Sequence, residues 1–216
     1  MSLFQRLKNL MAREPREQIL GYSRPELQAI FTAPLPSPAP ILPALPHLVP
    51  LAHGAVQAYY CALLIDAQDL DSFQALVACR FALIHERRFN DLPVRQYANA
   101  PHDRQLISLI STREFNAITL RLVTNCPEFL EAIHRQRFAV PPPWIAFEGY
   151  PPAWWGESLQ GAQGYYNDQY FLPFFTGLSE TEKLAYYARY SATQEWTASL
   201  LSVGDEQEEP AGWDIR

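Results

Sequence analysis

The sequence predicts an α+β fold, with a small antiparallel sheet packed against helices and a helical C-terminal end. Three observations carry that expectation. Ala117 to Val123 alternates, with Ile118, Leu120 and Leu122 set against Thr119 and Arg121, the period-two pattern of a half-buried strand. Pro127 to Arg137 reads as a helix with proline at its first position and Phe129, Leu130 and Ile133 on its apolar side. Ser179-Glu180-Thr181-Glu182 is a capping box, in which the serine hydroxyl accepts from the third helical amide and Glu182 returns to the cap amide.

The capped helix runs to about Tyr190, with Leu178 and Leu184 suited to packing at its entry, and a second helix follows over Thr193 to Leu201. Upstream, the triple proline Pro141-Pro142-Pro143 stops the helix that begins at Pro127. Residues 54 to 85 hold two apolar runs, AVQAYYCALLID and QALVACRFALIH. In the second, Ala75, Val77, Cys79, Phe81 and Leu83 share one strand face, while Phe73, Leu76, Val77, Phe81 and Ile84 also fit a helix capped by Asp71. The β-branched and aromatic content favours a pair of antiparallel strands.

Four regions follow from the punctuation. Residues 1–32 read as N-terminal helices, with Pro15 and Pro25 in first turns and Gly21 as the break between them. The first of these is an amphipathic segment, with Leu3, Phe4, Leu7, Leu10 and Met11 at helical spacing. It reads as a docked first helix, with a transit or surface-binding helix as the alternative. It lacks the continuous apolar run and cleavage site of a secretory signal. Residues 33–50 hold seven prolines and form an extended connector, which their apolar partners place against the body. A proline-rich recognition peptide is the alternative reading. Residues 51–203 make the main α+β domain, and residues 204–216 an acidic, flexible tail.

Composition narrows the function classes. The longest apolar run, Ala58 to Ile65, is eight residues long, well short of the roughly 20 a spanning helix requires. Cys61, Cys79 and Cys126 are odd in number and widely spaced, which fits small buried hydrophobes in a reducing, cytoplasmic compartment. The net charge is −6, and the basic stretch over residues 80 to 137 is too dilute to follow a phosphate backbone, so no nucleic-acid partner is expected.

Complete catalytic constellations are missing from the linear sequence. His85-Glu86-Arg87-Arg88-Phe89 lacks the second histidine of a zinc-protease helix. The five histidines share no ligand spacing with the cysteines. Gly156-Glu157-Ser158-Leu159-Gln160-Gly161 has one residue too many for a serine nucleophile elbow. Asp66, Asp69 and Asp71 have the wrong spacing for a calcium loop. No glycine loop with its lysine is present to cradle phosphate, and no cofactor is expected.

The densest chemistry lies between Pro141 and Phe175, where 11 of the 28 aromatics fall in 35 residues. Trp144 to Tyr150 reads as a short strand, Pro151 to Gly164 as a structured loop, and Tyr165 to Phe175 as helix interrupted by Pro173. Three readings compete for the rings: packing between sheet and helices, a protein-binding surface, and a ligand or glycan cleft. The binding surface would use Trp144, Trp154, Trp155, Tyr165 and Tyr166 as anchors, with Glu157 and Asp168 as acidic partners. The cleft would make the protein a small hydrolase using Glu148, Glu157 or Asp168.

The stretch Leu178-Ser179-Glu180-Thr181-Glu182-Lys183-Leu184-Ala185-Tyr186-Tyr187, followed by Glu195-Trp196, resembles the closing helices of bacterial immunity proteins. The resemblance covers less than a fifth of the chain. It implies an intracellular protein whose partner is another protein, a toxin or secreted effector, and which acts by occlusion without catalytic residues. Secretion-associated adaptors and chaperones, including those of type VI secretion, share these features.

Overall fold

The computed structural model describes residues 18–35, 47–156 and 158–205 and has the α+β architecture that the sequence predicts. Gln18–Ile19 (β1) and Tyr22–Ser23 (β2) pair as a minimal hairpin ahead of helix α1 (Arg24–Ile30). Two helices are the expectation for this region, and its described part holds one. Gly21 forms the hairpin turn instead of a helix break. It holds φ at 76°, and a Cβ there would lie 2.9 Å from Phe89 Cβ, so both conformation and packing call for glycine. Helix α1 opens as the proline at its second residue allows, and the Ser23 amide and hydroxyl both donate to Glu26. Residues 1–17, 36–46 and 206–216 lie outside the described residues, as do the expected first helix, most of the proline-rich connector and nearly all of the acidic tail.

The central sheet has six antiparallel strands in the order β3-β4-β8-β7-β6-β5. Its strands are β3 (Leu48–Pro50), β4 (Tyr59–Ile65), β5 (Ala82–Phe89), β6 (Leu92–Asn99), β7 (Arg104–Ser111) and β8 (Ile118–Thr124). The second apolar run is where expectation and structure differ. Leu70–Ala78 is helix α2, and only then does the chain enter β5. Phe73, Leu76 and Val77 are buried, whereas the strand-face candidates Ala75 and Cys79 are exposed. Burial thus follows the helical period, because this segment crosses over one face of the sheet rather than joining it.

Helix α2 and helix α3 (Pro127–Gln136) cover that face, meeting Cys61, Leu63, Ile65, Leu120 and Leu122. The opposite face has two covers. The N-terminal unit lies over Val94, Ile107, Leu109 and Val123, and the C-terminal helices lie over Ala62 and Leu64. Arg87 fixes the first cover: its guanidinium stacks 3.6 Å from the Tyr22 ring centroid and donates to Gly21 O and Glu26.

The C-terminal lobe comprises α4 (Pro143–Ala146), a 3₁₀ turn at Pro152–Trp154, α5 (Gly161–Tyr166), a π-helical turn at Asn167–Phe171, α6 (Leu172–Thr176), α7 (Glu180–Arg189) and α8 (Gln194–Asp205). The expected strand at Trp144–Tyr150 is a helical turn instead, because Pro142 caps it, Pro143 occupies its first position, and no described strand lies alongside. Helix α3 ends before the triple proline, at Arg137, which takes a left-handed φ of 48°. That conformation is uncommon for a side chain of this size. Arg137 is held there by its guanidinium, which spans Glu182 and Gly177 O. The expected interruption at Pro173 also gives way to continuous helix. Proline supplies no amide to the carbonyl four residues back, and the wider π turn just before it takes up the mismatch.

Hydrogen bonds from Ser23 and Arg87 hold the Glu26 carboxyl well below its ordinary range, at about 2. A carboxyl depressed in the folded chain stabilises it fully above the unfolded pKa, and loses that contribution as pH falls through the folded value. Acid titration of stability should therefore fall between pH 4.5 and about 2, and Glu26→Gln should flatten that limb. Burial pushes the Cys61 and Cys126 thiols up to about 12 and about 11, whereas Cys79 is exposed. A thiol reagent at pH 8 should modify Cys79 quickly in the native chain and reach the other two only on unfolding.

Candidate binding groove

The aromatic segment forms the core of the C-terminal lobe. Trp155 is 3% exposed and Tyr166 is fully buried, so neither of these two expected anchors presents its ring at the surface. Trp155 packs edge-on to Tyr150, Tyr166 and Phe171 with centroids 5.7–6.3 Å apart. Large rings meet at tilted angles because their faces are negative and their edges positive. The Tyr166 hydroxyl donates to Pro141 O, and burial raises its pKa well above the ordinary phenol value. Gly164 permits this density: a Cβ there would lie 2.8 Å from Leu159 O.

The remaining candidates are dispersed. Trp144 is half-buried, its ring 5.3 Å from that of Trp196 and its Nε1 donating to Tyr190 O. Trp154 is 65% exposed on the 3₁₀ turn, and Tyr165 is 52% exposed, stacked on Phe115. Asp168 and Glu148 are exposed on different elements, the π turn and the segment after α4. Glu157 lies outside the described residues. Among the described residues, no group of three or more His, Cys, Asp or Glu is placed to hold a metal ion.

One concavity stands out, a groove of ≈ 190 Å³ along the edge of β4. Among the described residues, β3 pairs only with Tyr59, Tyr60 and Cys61, which leaves the edge of β4 from Ala62 to Ile65 without a strand neighbour. Those four residues form the floor. One wall is the end of α3, with Ile133, His134, Arg137 and Phe138. The other is the π turn and α6, with Gln169, Tyr170, Pro173 and Phe174. His47, which leads into β3, closes one end, and Val140 lies toward the other.

A polar knot, buried at Asp66, ties together elements that flank the groove. The Tyr190 hydroxyl donates to Asp66 Oδ2 at 2.6 Å, and Arg189 reaches Asp66 and Asp69 at 3.3 and 3.6 Å. Asp69 accepts from Ala139 N at 3.0 Å, and Asp66 N donates to Ala139 O at 2.9 Å. Burial, followed by the hydrogen bond to Asp66, raises the Tyr190 pKa above its ordinary value. The end of β4, the start of α2, the segment after α3 and helix α7 are thereby pinned to one another.

Of the binding residues expected from the sequence, none that the structure describes lines this groove. The signal that was available is indirect: β4 is apolar along its whole length, as a strand covered on both faces must be. The lining runs from His47 to Gly177, so folding alone brings its floor and walls together. No family model, no curated protein and no solved structure matches this chain.

The two neighbouring tryptophans separate core from surface. Trp155→Ala should cost about 3–5 kcal/mol in urea unfolding, as loss of a buried ring does. Trp154→Ala should stay within about 0.5 kcal/mol of the parent.

Proposed function

We propose that this chain is a protein-binding protein, of the immunity kind that binds and occludes a cognate bacterial toxin in the cytoplasm. The observation that carries the reading is the groove: an apolar concavity at a sheet edge that no described strand covers, walled on one side by the aromatic segment. Sheet edges and apolar grooves are both surfaces that polypeptide partners use repeatedly. Exposed Trp154 and Tyr165 add rigid aromatic surface of the type enriched at binding hot spots. Exposed Glu148, Asp168, Glu180 and Glu195 give the C-terminal lobe an acidic surface suited to a basic partner.

The test is purification of the full chain from its native host under cross-linking, followed by reconstitution with the recovered protein. The expected result is a stoichiometric complex whose toxic or enzymatic activity is blocked, with Trp154→Ala or Tyr165→Ala weakening affinity at least tenfold and leaving the melting temperature unchanged. Recovery of no protein partner, or a complex in which both variants bind as the parent does and activity persists, would sink the proposal.

A further inference from the structure

We infer that Tyr165 and Asp168 form the seat for an arginine side chain of the partner, with the turn between β7 and β8 as the device that positions Tyr165. This step rests on the protein-binding reading. Within the turn, Ala117 N donates to Glu114 O at 3.2 Å, and Phe115 and Asn116 both take left-handed φ, 58° and 48°. Positive φ at both central residues is the pattern of a type I′ turn, which favours glycine, asparagine and aspartate. Asn116 suits it, and the bulky Phe115 does not. A residue held against its own preference is fixed by its surroundings. Here Glu114 accepts from Thr119 at 3.2 Å and from Arg121 at 2.6 Å, and Asn116 Nδ2 donates to Ile145 O at 3.1 Å. The Phe115 ring lies against Phe147, Tyr166 and Tyr170, with centroids 5.3–6.2 Å apart.

The turn presents that ring to Tyr165. The two stack at 6.4 Å and 27°, and Tyr170 meets Tyr165 edge-on at 5.8 Å, with the hydroxyls 3.4 Å apart. Tyr165 is thus fixed on two sides while 52% exposed. Trp154 is more exposed, yet among the described residues no ring contact or side-chain hydrogen bond holds it. An exposed ring that is already ordered loses less freedom on binding, which makes Tyr165 the better anchor. Asp168 lies three residues further along the same helical run, a spacing that puts two side chains on one side. It is exposed and accepts from Asn167 Nδ2 at 3.2 Å, and among the described residues no lysine or arginine pairs with it. Arg121 is already matched by Glu114, so it does not compete for Asp168. A planar guanidinium satisfies ring and carboxylate together, stacking on the first and bonding the second with its fork. Lysine, a point charge, does less well on the second count.

The probe is N-acetyl-arginine methylamide, titrated into the full chain with fluorotyrosine in place of Tyr165 and followed by fluorine NMR. A saturable shift is expected, with the neutral citrulline analogue binding at least tenfold more weakly and the lysine analogue falling between. Asp168→Asn should weaken the arginine probe at least fivefold and, because Asp168 is exposed, leave the melting temperature unchanged. Phe115→Leu removes the ring on which Tyr165 stacks, and should weaken the probe by a similar factor while averaging the fluorine resonance. Asn116→Gly keeps that ring and should bind as the parent does. No saturable shift overturns the inference, as does equal binding of the citrulline analogue or undiminished binding to Asp168→Asn. A folded Phe115→Leu chain that binds the probe as the parent does removes the turn from it. Binding that appears only when Arg6, Lys8, Arg13 and Arg16 are replaced by glutamine also overturns it, because this chain would then occupy its own site. A recovered partner that binds Asp168→Asn as tightly as the parent overturns the arginine seat and leaves the protein-binding reading standing, whereas that reading itself fails when no partner is recovered.

Discussion

Strand β8 lies in the middle of the sheet and is buried on both faces, with Thr119, Leu120, Leu122, Val123 and Thr124 all fully inaccessible. Burying one face of an isolated sheet leaves the other exposed to water, and apolar area left there costs roughly 25 cal/mol per Å². This chain therefore requires a cover on each side. Helices α2 and α3 provide one, and the N-terminal unit and the C-terminal lobe divide the other. The threonines are tolerated in this setting because they are bonded: Thr124 donates to Gln105 O, and Thr119 to Glu114.

The division of the second face has a consequence for the sheet edge. The C-terminal lobe reaches β4 over Ala62 and Leu64, while α3 approaches the same strand from the opposite face. Neither element is a strand, so each covers a face, and among the described residues no strand pairs with the edge between them. The knot of Asp66, Asp69, Arg189 and Tyr190 fixes the separation of the two covers. A paired and hydrogen-bonded charge cluster of this kind specifies geometry more than it adds stability. The groove is thus a product of how two covers meet at one strand.

Much of the fold was legible in the sequence because its signals are local. The capping box at Ser179–Glu182 forms as read, with the Ser179 amide donating to Glu182 and the Glu182 amide to Ser179 Oγ. The alternation at Ile118–Leu122 and the proline at the start of α3 also rest on neighbours within a few residues. The hairpin of β5 and β6 has a local signal of its own: Asn90-Asp91, both at positive φ, between the paired Phe89 and Leu92. Two central residues in that conformation match the twist of a two-residue hairpin. The strands themselves are hard to recognise because β5 is an exposed edge with a bulge, and carries charge where a core strand would carry apolar side chains.

The sequence by itself determined the fold class, the capped C-terminal helices, the central strand and the density of rings after Pro141, because each depends on periodicity, composition or a short-range hydrogen bond. Only the tertiary structure decided that Leu70–Ala78 is a helix, since its apolar residues fit two periods until a sheet face selects one. The same holds for the aromatics. Composition marks Trp154 and Trp155 alike, and burial separates them. The groove was not legible at all, because its floor, its two walls and the knot that spaces them come from segments far apart in the chain and meet only through packing.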